Sequence, residues 1–321
     1  MRFKIQEVLD APASIRATER NLKMKKTKLE DLEPYKTVGT RNRLSEIALV
    51  LLGDNGDEFA AFGTGFFIAP GLVITAKHVM EEYWARYHYS LPFPKRKTER
   101  ETNFNVRGLQ FYDSSSRQGL WYSEVMWVSD FTDTALLFFK PENDDAKEYR
   151  CQIIYELTMY APKPGEKVVS FGYPDTEVSL ILRTPTMKFD YGLKFTRSIG
   201  NVLAVHEKYF RRGYVEFPSI ETDARFDHGM SGGPVFNACG QICGVVSAGN
   251  EPTFAALLWP AMLTQLDIDL KTGKPTEPYL VHELFDNGSI RQTGWNEVYE
   301  KMSPQFEPYI DEDDYWKLGW K

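Results

Sequence analysis

A serine set in a run of glycines constrains the fold of this chain more than any other feature. The run is Gly-Met-Ser-Gly-Gly-Pro, from Gly229 to Pro234, and it places Ser231 in a tight turn. Two further motifs precede it: Thr-Ala-Lys-His, which ends at His78, and Asp-Thr-Ala-Leu, which begins at Asp133. A histidine, an aspartate and a serine so far apart in sequence act together only if the fold brings three separate loops to one place.

The segments around these motifs predict many short strands. Apolar runs rich in Val, Ile, Leu and Phe alternate with turn residues such as Pro70 and Gly71. They form two series of similar size, separated by a connector with a short helix at 143–150, which is typical of an all-β fold with two barrels. The predicted strands are 47–52, 63–69, 72–75, 106–112, 122–128 and 135–139 in the first series, and 167–172, 179–184, 199–206, 215–217, 234–237, 241–248 and 254–259 in the second.

The three motifs supply the groups that hydrolysis of an amide requires. Ser231 is the candidate nucleophile, His78 the base that accepts its proton, and Asp133 the acid that fixes the imidazole tautomer. The turn Gly229, Met230 and Ser231 is the candidate oxyanion hole, with the N–H groups of Gly229 and Ser231 directed at one point. Each residue taken alone is more often structural, whereas their order and local context together favour catalysis.

Asp130 competes with Asp133 for the role of the acid. An apolar strand begins directly after Asp133, which places that residue at the mouth of a strand. Asp130 instead precedes a Phe-Thr turn, so the sequence favours Asp133.

Composition narrows the possible function classes. The 321 residues carry a formal net charge of -7 and a pI near 5.4, which argues against a general nucleic-acid binder. No apolar run is long enough to span a membrane, and residues 1–30 lack the apolar stretch of a signal peptide, so we expect a cytoplasmic protein. The three cysteines, Cys151, Cys239 and Cys243, do not indicate a disulfide framework or a zinc site, and we predict neither a metal nor a cofactor.

Three parts of the chain are predicted. Residues 1–43 form an N-terminal extension with a basic cluster at 23–28, residues 44–267 hold the strands and motifs, and residues 268–321 form an acidic and aromatic C-terminal extension. Residues 81–105 are predicted to be a surface loop, with a substrate- or partner-binding loop as the alternative, and residues 261–270 a closing helix. The C-terminal extension is expected to pack across the barrels, with partner recruitment or covering of the cleft as alternatives. Its candidate anchors are Trp295, Tyr315, Trp316 and Trp320.

These motifs resemble those of a trypsin-like serine protease of the chymotrypsin fold, and most closely those of the bacterial HtrA-like branch. Residues 64–78 resemble its first-barrel core and histidine motif, 133–137 its aspartate motif, 222–234 its serine loop and 244–249 the strand that lines its substrate cleft. The resemblance covers about residues 45–267. It implies two six-stranded antiparallel barrels with the triad between them, and no PDZ domain is recognisable at either end.

The resemblance also implies where the pocket for the substrate's P1 side chain lies. Arg225 stands where trypsin has an acid at the base of the pocket, and an arginine there would select an acidic P1 side chain through a bidentate pair. The alternative is that Arg225 points outward or pairs with Asp223 or Asp227, and that Phe226 gives a small or apolar pocket. The residues expected near this pocket are Arg225, Phe226, Ser247, Ala248 and Gly249.

One departure from the family concerns activation. Secreted trypsins carry an aspartate just before the catalytic serine, and it receives a newly cut N-terminus, whereas this chain has Met230 there. Activity is therefore expected to depend instead on loop ordering, a partner or an oligomer. Among the other histidines, His228 is expected at the rim of the site, and His88, His206 and His282 are expected to be structural.

The sequence thus predicts a serine endopeptidase that acts on protein or peptide substrates through an acyl-enzyme, under the control of a regulatory protein partner or loop ordering. The alternative is a catalytically latent protease fold that serves as a binding or scaffold module. An esterase is chemically possible with the same groups. Nucleic-acid binding through the basic clusters at 23–28 and near Lys95 is less favoured because the chain is acidic, and no membrane partner is expected.

Overall fold

The structure is a computed structural model of the chain. It describes residues 33–38, 44–54, 59–88, 92–93, 96–98, 105–112, 117–129, 131–148, 155–182, 188–207, 215–249, 251–310 and 316–320. The predictions for the basic cluster at 23–28, Lys95, Asp130, Cys151 and Tyr315 lie outside these residues.

Six strands of the first half close into an antiparallel barrel. Around the barrel they run in the order β7-β6-β2-β3-β4-β8, and β8 pairs back onto β7, while β5 adds to the outer edge of β7. Strand β1 (Tyr35–Thr37) precedes them and belongs to the second half. The strands of the first half are β2 (Ala48–Asp54), β3 (Phe59–Ala69), β4 (Leu72–Thr75), β5 (Arg96–Thr98), β6 (Val106–Phe111), β7 (Gln118–Val128) and β8 (Ala135–Pro141).

Six strands of the second half close in the same way. Their order is β15-β10-β13-β14-β17-β16, and β16 pairs back onto β15. The two six-stranded barrels confirm the predicted fold class. Three other strands of this half lie outside the barrel: β11 and β12 form a separate hairpin, and β9 pairs in parallel with β16. The strands of the second half are β9 (Leu157–Thr158), β10 (Lys167–Gly172), β11 (Glu177–Leu182), β12 (Lys188–Gly192), β13 (Thr196–His206), β14 (Ser219–Thr222), β15 (Pro234–Phe236), β16 (Ile242–Ala248) and β17 (Thr253–Leu257).

Each barrel has a dry interior with aromatic rings at its centre. In the first barrel Phe67 packs edge-on against Trp121, with ring centroids 5.0 Å apart. In the second Phe171 stacks on Phe195 at 5.7 Å and meets Phe236 edge-on at 5.9 Å. All five rings are nearly inaccessible to water, so each adds a large buried apolar surface to the core of its barrel.

Few helices accompany the barrels. Helix α1 (Lys77–Tyr87) follows β4 directly and buries Tyr83 and Trp84 against the first barrel. The predicted loop over residues 81–105 is therefore wrong at its start, because these aromatic residues hold a helix against the core. Helix α2 (Asp144–Glu148) lies in the connector between the barrels, where a short helix was predicted.

Two further predicted elements are corrected. Residues 215–217 do not form a strand: Val215 makes an isolated bridge, and the ladder begins at β14, after Pro218. The helix predicted over 261–270 is replaced by a short 3-10 helix, Trp259–Leu263, and then by strand β18 (Gln265–Asp269). In β18 the buried Leu266 and Ile268 alternate with more exposed residues, and this period of two is that of a strand.

The chain after the second barrel packs onto it. Trp295 is buried as predicted and stacks on His282 at 4.7 Å, while β20 extends the second sheet by pairing in parallel with β9. The predicted domain boundary at 267/268 falls inside β18. The remaining elements are β19 (Lys274–Leu280), β20 (Gln292–Thr293), α3 (Trp295–Met302), β21 (Phe306–Ile310) and β22 (Trp316–Trp320), with 3-10 helices at Val281–Leu284 and Ser303–Gln305.

The helices carry no membrane signature. Within the part of the chain that the structure describes, none is both long and apolar enough to cross a bilayer.

Candidate active site

His78 enters the cleft between the barrels on the first turn of α1. The backbone N–H of His78 donates to Oδ1 of Asp133 at 2.9 Å, and its ring Nδ1 lies 2.7 Å from Oδ2 of the same carboxylate. Because a carboxylate only accepts, Nδ1 must carry the proton, and Nε2 is left as the basic nitrogen. Burial alone would lower the pKa of His78, but the hydrogen bond and charge of Asp133 outweigh burial and raise that pKa above 6.5.

Asp133 lies in the turn between β7 and β8, with only 11% of its side chain exposed. Besides the two His78 groups, it accepts a hydrogen bond from the hydroxyl of Ser247. Burial would raise the pKa of this carboxyl, but the hydrogen bond and charge of His78 and the hydroxyl of Ser247 hold the pKa below its ordinary value. Asp133 is therefore an anion that is already fully oriented toward His78.

Ser231 lies in the same cleft as His78, on the second barrel. Its Oγ donates to the carbonyl of Ser247 at 3.2 Å, and the described residues show no hydrogen bond between Ser231 and His78. The third contact of a triad is thus unmade in this state, as is common before substrate binds. To make it, the hydroxyl must leave the carbonyl of Ser247.

The turn around Ser231 leaves two backbone N–H groups without acceptors. Within the described residues, the N–H groups of Gly229 and Ser231 donate to no protein atom. The carbonyl of His228 accepts from the N–H of Asp175 at 3.2 Å, and since N–H and C=O point in opposite directions across a trans peptide, the Gly229 N–H is turned away from Asp175. Met230, predicted as part of the hole, donates its N–H to Asp227 at 3.0 Å and so is not a donor to substrate.

Gly229 has a backbone that only glycine adopts easily. Its φ is +90°, in the left-handed region, and a Cβ there would lie 2.6 Å from the carbonyl oxygen of Tyr173. Glycine at this position therefore sets the direction of one candidate oxyanion donor.

The first barrel supports this turn through Thr64, which sequence reasoning treated only as barrel core. The buried Oγ1 of Thr64 donates to the carbonyl of Gly229 at 2.8 Å and accepts from the N–H of Tyr173 at 3.0 Å. The N–H of Thr64 donates to the carbonyl of Ser231 at 2.8 Å. One residue of the first barrel thus ties down both ends of the turn that carries Ser231.

The cleft has a volume of about 730 Å³. Four of the five residues predicted near the P1 pocket line it, namely Phe226, Ser247, Ala248 and Gly249, and His228 lies on its wall.

Arg225 does not line the cleft. Its guanidinium forms two 2.8 Å contacts with the carboxylate of Asp227, and 66% of the side chain is exposed. The structure therefore favours the pairing of Arg225 with Asp227 over contact of Arg225 with an acidic P1 side chain.

The remaining histidines make structural contacts. Nε2 of His206 lies 2.9 Å from the carboxylate of Glu221, and the ring of His88 packs against that of Trp84 with centroids 4.3 Å apart. No group of His, Cys, Asp or Glu side chains within the described ranges has the arrangement of a metal site.

Comparison with known proteins assigns the sequence to a family. The model of the trypsin-like peptidase domain matches residues 63–245, a span that contains His78, Asp133 and Ser231. The chain belongs to the trypsin-like peptidase domain family. Membership supports the assignment to the serine endopeptidases.

The relatives include proteases of the HtrA type. The chain is 29% identical over 136 residues to the serine protease Do-like HtrB of Bacillus subtilis, an alignment that covers 41% of the chain and 27% of the relative. The chain thus spans about a quarter of the length of that relative. Among solved structures it is similar to Deg5 (17% identity, 67% of this chain and 84% of the other, TM-score 0.45) and to a serine endoprotease from Yersinia pestis (15%, 67% and 60%, TM-score 0.39).

Proposed function

We propose that the protein is a serine endopeptidase in which Ser231, His78 and Asp133 form the catalytic triad. The observation that carries this proposal is the doubly bonded Asp133–His78 pair, which shares a cleft with Ser231, a residue in a turn with two unpaired N–H groups. These are the base, the nucleophile and the anion stabiliser that acyl transfer needs.

The first half of the reaction forms an acyl-enzyme. The hydroxyl of Ser231 attacks the peptide carbonyl carbon while Nε2 of His78 takes the hydroxyl proton. The N–H groups of Gly229 and Ser231 bind the oxyanion of the tetrahedral intermediate. The C–N bond then breaks, the proton passes from His78 to the leaving amine, and the peptide acyl group remains on Ser231.

The second half regenerates the enzyme. A water molecule gives a proton to Nε2 of His78 and attacks the ester carbonyl, and the same two N–H groups bind the second oxyanion. Collapse of the intermediate returns the proton to Ser231 and releases the acid. In both halves the Asp133 anion stabilises the imidazolium form of His78.

The charges of the cleft favour substrates with cationic side chains. Glu81, Glu216 and Asp227 line it besides Asp133. Lys77 pairs with Glu81 at 3.7 Å and Arg225 with Asp227 at 2.8 Å, whereas Glu216 and Asp133 have no lysine or arginine partner among the described residues. Because like charges raise the cost of binding, acidic peptides are expected to be the poorer substrates. Cleavage of a peptide library in low and high salt measures this, since the preference should weaken as salt screens the charges.

The test of the triad is labelling by a fluorophosphonate. The wild-type protein is expected to bind the label covalently, and Ser231→Ala and His78→Ala are expected to lose it. Ser198→Ala is a matched control, because that serine is buried in β13, outside the cleft. Labelling that persists in folded Ser231→Ala would refute the assignment of the nucleophile.

A latent protease fold that serves as a binding module is the second candidate. It is favoured by the hydrogen bond of Ser231 to the carbonyl of Ser247 instead of to His78. Folded wild-type protein that resists the label, alone and with added peptides, would support this candidate. Control of the endopeptidase by a partner or by loop ordering belongs to the same proposal and predicts labelling that rises when the partner is added.

A further inference from the structure

The segment that precedes the first barrel reaches the active-site loop of the second. Strand β1 pairs with β13, with Tyr35 opposite Ser198 and Thr37 opposite Thr196. It occupies the edge of β13 at the end where β14 does not pair, so it completes the sheet there.

Backbone bonds at both ends hold this segment in place. Val38 donates to the carbonyl of Phe195 at 2.8 Å, and Ile199 donates to the carbonyl of Pro34 at 2.7 Å. The guanidinium of Arg197, which is buried, donates to the carbonyl of Glu33 at 2.9 Å. Residues 33–38 are thus a fixed part of the second sheet.

Tyr35 uses this anchorage to hold two charged side chains. Its hydroxyl donates to Oδ2 of Asp227 at 2.6 Å, and the guanidinium of Arg225 lies over its ring, 4.4 Å from the centroid. Arg225 in turn pairs with Asp227 through both carboxylate oxygens. An exposed ion pair by itself does little to fix the positions of its two side chains. The half-buried Tyr35 therefore adds the contacts that hold Arg225 and Asp227 in place.

Asp227 connects Tyr35 to the candidate oxyanion hole. Its carbonyl accepts the N–H of Met230 at 3.0 Å, and that bond closes the turn containing the N–H groups of Gly229 and Ser231. Met230 is apolar and fully buried, so it offers no charge that could hold the turn from the inside. The polar support of the turn comes from Thr64 of the first barrel at Gly229 and Ser231, and from the Tyr35 side at Asp227.

We propose that Tyr35 is a positioning residue, through which the segment before the first barrel holds the turn 225–231 in the arrangement that binds an oxyanion. Displacement of β1 releases Asp227 and Arg225 and loosens that turn, so this segment is where a regulatory partner would act. The proposal rests on the proposed endopeptidase function.

The test compares Tyr35→Phe with the wild type. The variant keeps the ring beneath Arg225 and removes only the hydroxyl that donates a hydrogen bond to Asp227. The kcat for a peptide substrate and the rate of fluorophosphonate labelling are expected to fall about 2- to 30-fold, with little change in KM, because the oxyanion hole acts in the transition state. Asp227→Ala combined with Tyr35→Phe should lose no more than Asp227→Ala alone, because that change already removes the carboxylate that Tyr35 contacts, together with its pair to Arg225.

Thr37→Val is the matched control. It removes a hydroxyl from the same strand, one that faces Thr196 at 3.4 Å and not the turn. It is expected to leave kcat and labelling unchanged. Tyr35→Phe with wild-type kcat and labelling, even if the unfolding temperature falls, would overturn the proposal, because the role of Tyr35 would then be structural only.

A second measurement separates this proposal from the proposed function. Hydrogen exchange of the backbone amides in 225–231 is expected to speed up in Tyr35→Phe and to stay unchanged in Thr37→Val, whether or not the enzyme is active. If the wild type resists labelling, the endopeptidase proposal fails, and exchange alone decides on Tyr35. Unchanged exchange in Tyr35→Phe overturns the positioning role.

Discussion

Replacing Gly229 by alanine should separate the catalytic role of its backbone from its role in folding. The φ of +90° costs a residue with a Cβ about 1–2 kcal/mol of folding free energy. In addition, the new Cβ would lie 2.6 Å from the carbonyl oxygen of Tyr173 and 3.3 Å from Cα of Pro174. Both contacts are with backbone, so the turn itself must move.

Movement of the turn displaces the Gly229 N–H, one of two candidate oxyanion donors. Loss of one such donor costs about 10²- to 10³-fold in kcat in enzymes of this chemistry. We therefore expect Gly229→Ala to lower kcat/KM for a peptide substrate by about this factor, with a similar loss in the rate of fluorophosphonate labelling. The free energy of unfolding should fall by at least about 1–2 kcal/mol.

Gly165→Ala is the matched control. Gly165 has a φ of +86°, nearly that of Gly229, but a Cβ there would have no atom within 4 Å. The control should show the conformational cost in a denaturant melt and keep full activity. If Gly229→Ala is as active as Gly165→Ala, the assignment of the Gly229 N–H to the oxyanion hole is refuted.

Three further predictions concern the same site. Asp133→Asn should lower kcat about 10⁴-fold, measured with a peptide substrate, because the amide favours the wrong tautomer of His78; a loss below tenfold would argue for another acid. In the wild type, kcat/KM should fall as the pH drops through a value above 6.5, because Asp133 raises the pKa of His78 and only the neutral imidazole is a base. In Asp133→Asn this fall in kcat/KM should occur at a lower pH. A fall at the same pH as in the wild type would contradict the pairing of Asp133 with His78. Thr64→Val, a change nearly equal in shape, should lower the free energy of unfolding by about 1–3 kcal/mol in a denaturant melt, because it removes two buried hydrogen bonds. It should also slow fluorophosphonate labelling, because the carbonyl of Gly229 loses its hydrogen-bond donor. A loss of stability without slower labelling would mean that Thr64 contributes to folding only.

The fold could be predicted where the local pattern alone decides the structure. Strands β4 and β10 have the predicted bounds, because each is an apolar run with turn residues beside it. The failures occur where pairing or packing overrides the local pattern. Residues 265–269 have apolar residues that also suit a helix, but β19 supplies the pairing edge, and Val215 and Phe217 are buried by packing without a ladder.

The candidate site, too, could be predicted only in part from the sequence. The order and local context of the motifs, together with the resemblance that they carry, predicted the pairing of His78 with Asp133. The contact of Tyr35 with Asp227 spans 192 positions and follows no motif, so only the folded chain reveals it. Ser247 was expected at the substrate pocket, and its hydroxyl bond to Asp133 was missed for the same reason.

The division of the site between two barrels has a consequence for the protein during its own synthesis. His78 and Asp133 belong to the first barrel, while the turn with Ser231 is held by Thr64 from the first and by Val246 of β16 from the second. The second barrel closes only when β17 is in place, and β17 ends at Leu257. Under the proposed function, a nascent chain therefore carries its histidine and aspartate long before it can hydrolyse a peptide bond, and neighbouring nascent chains are not exposed to a partly made protease.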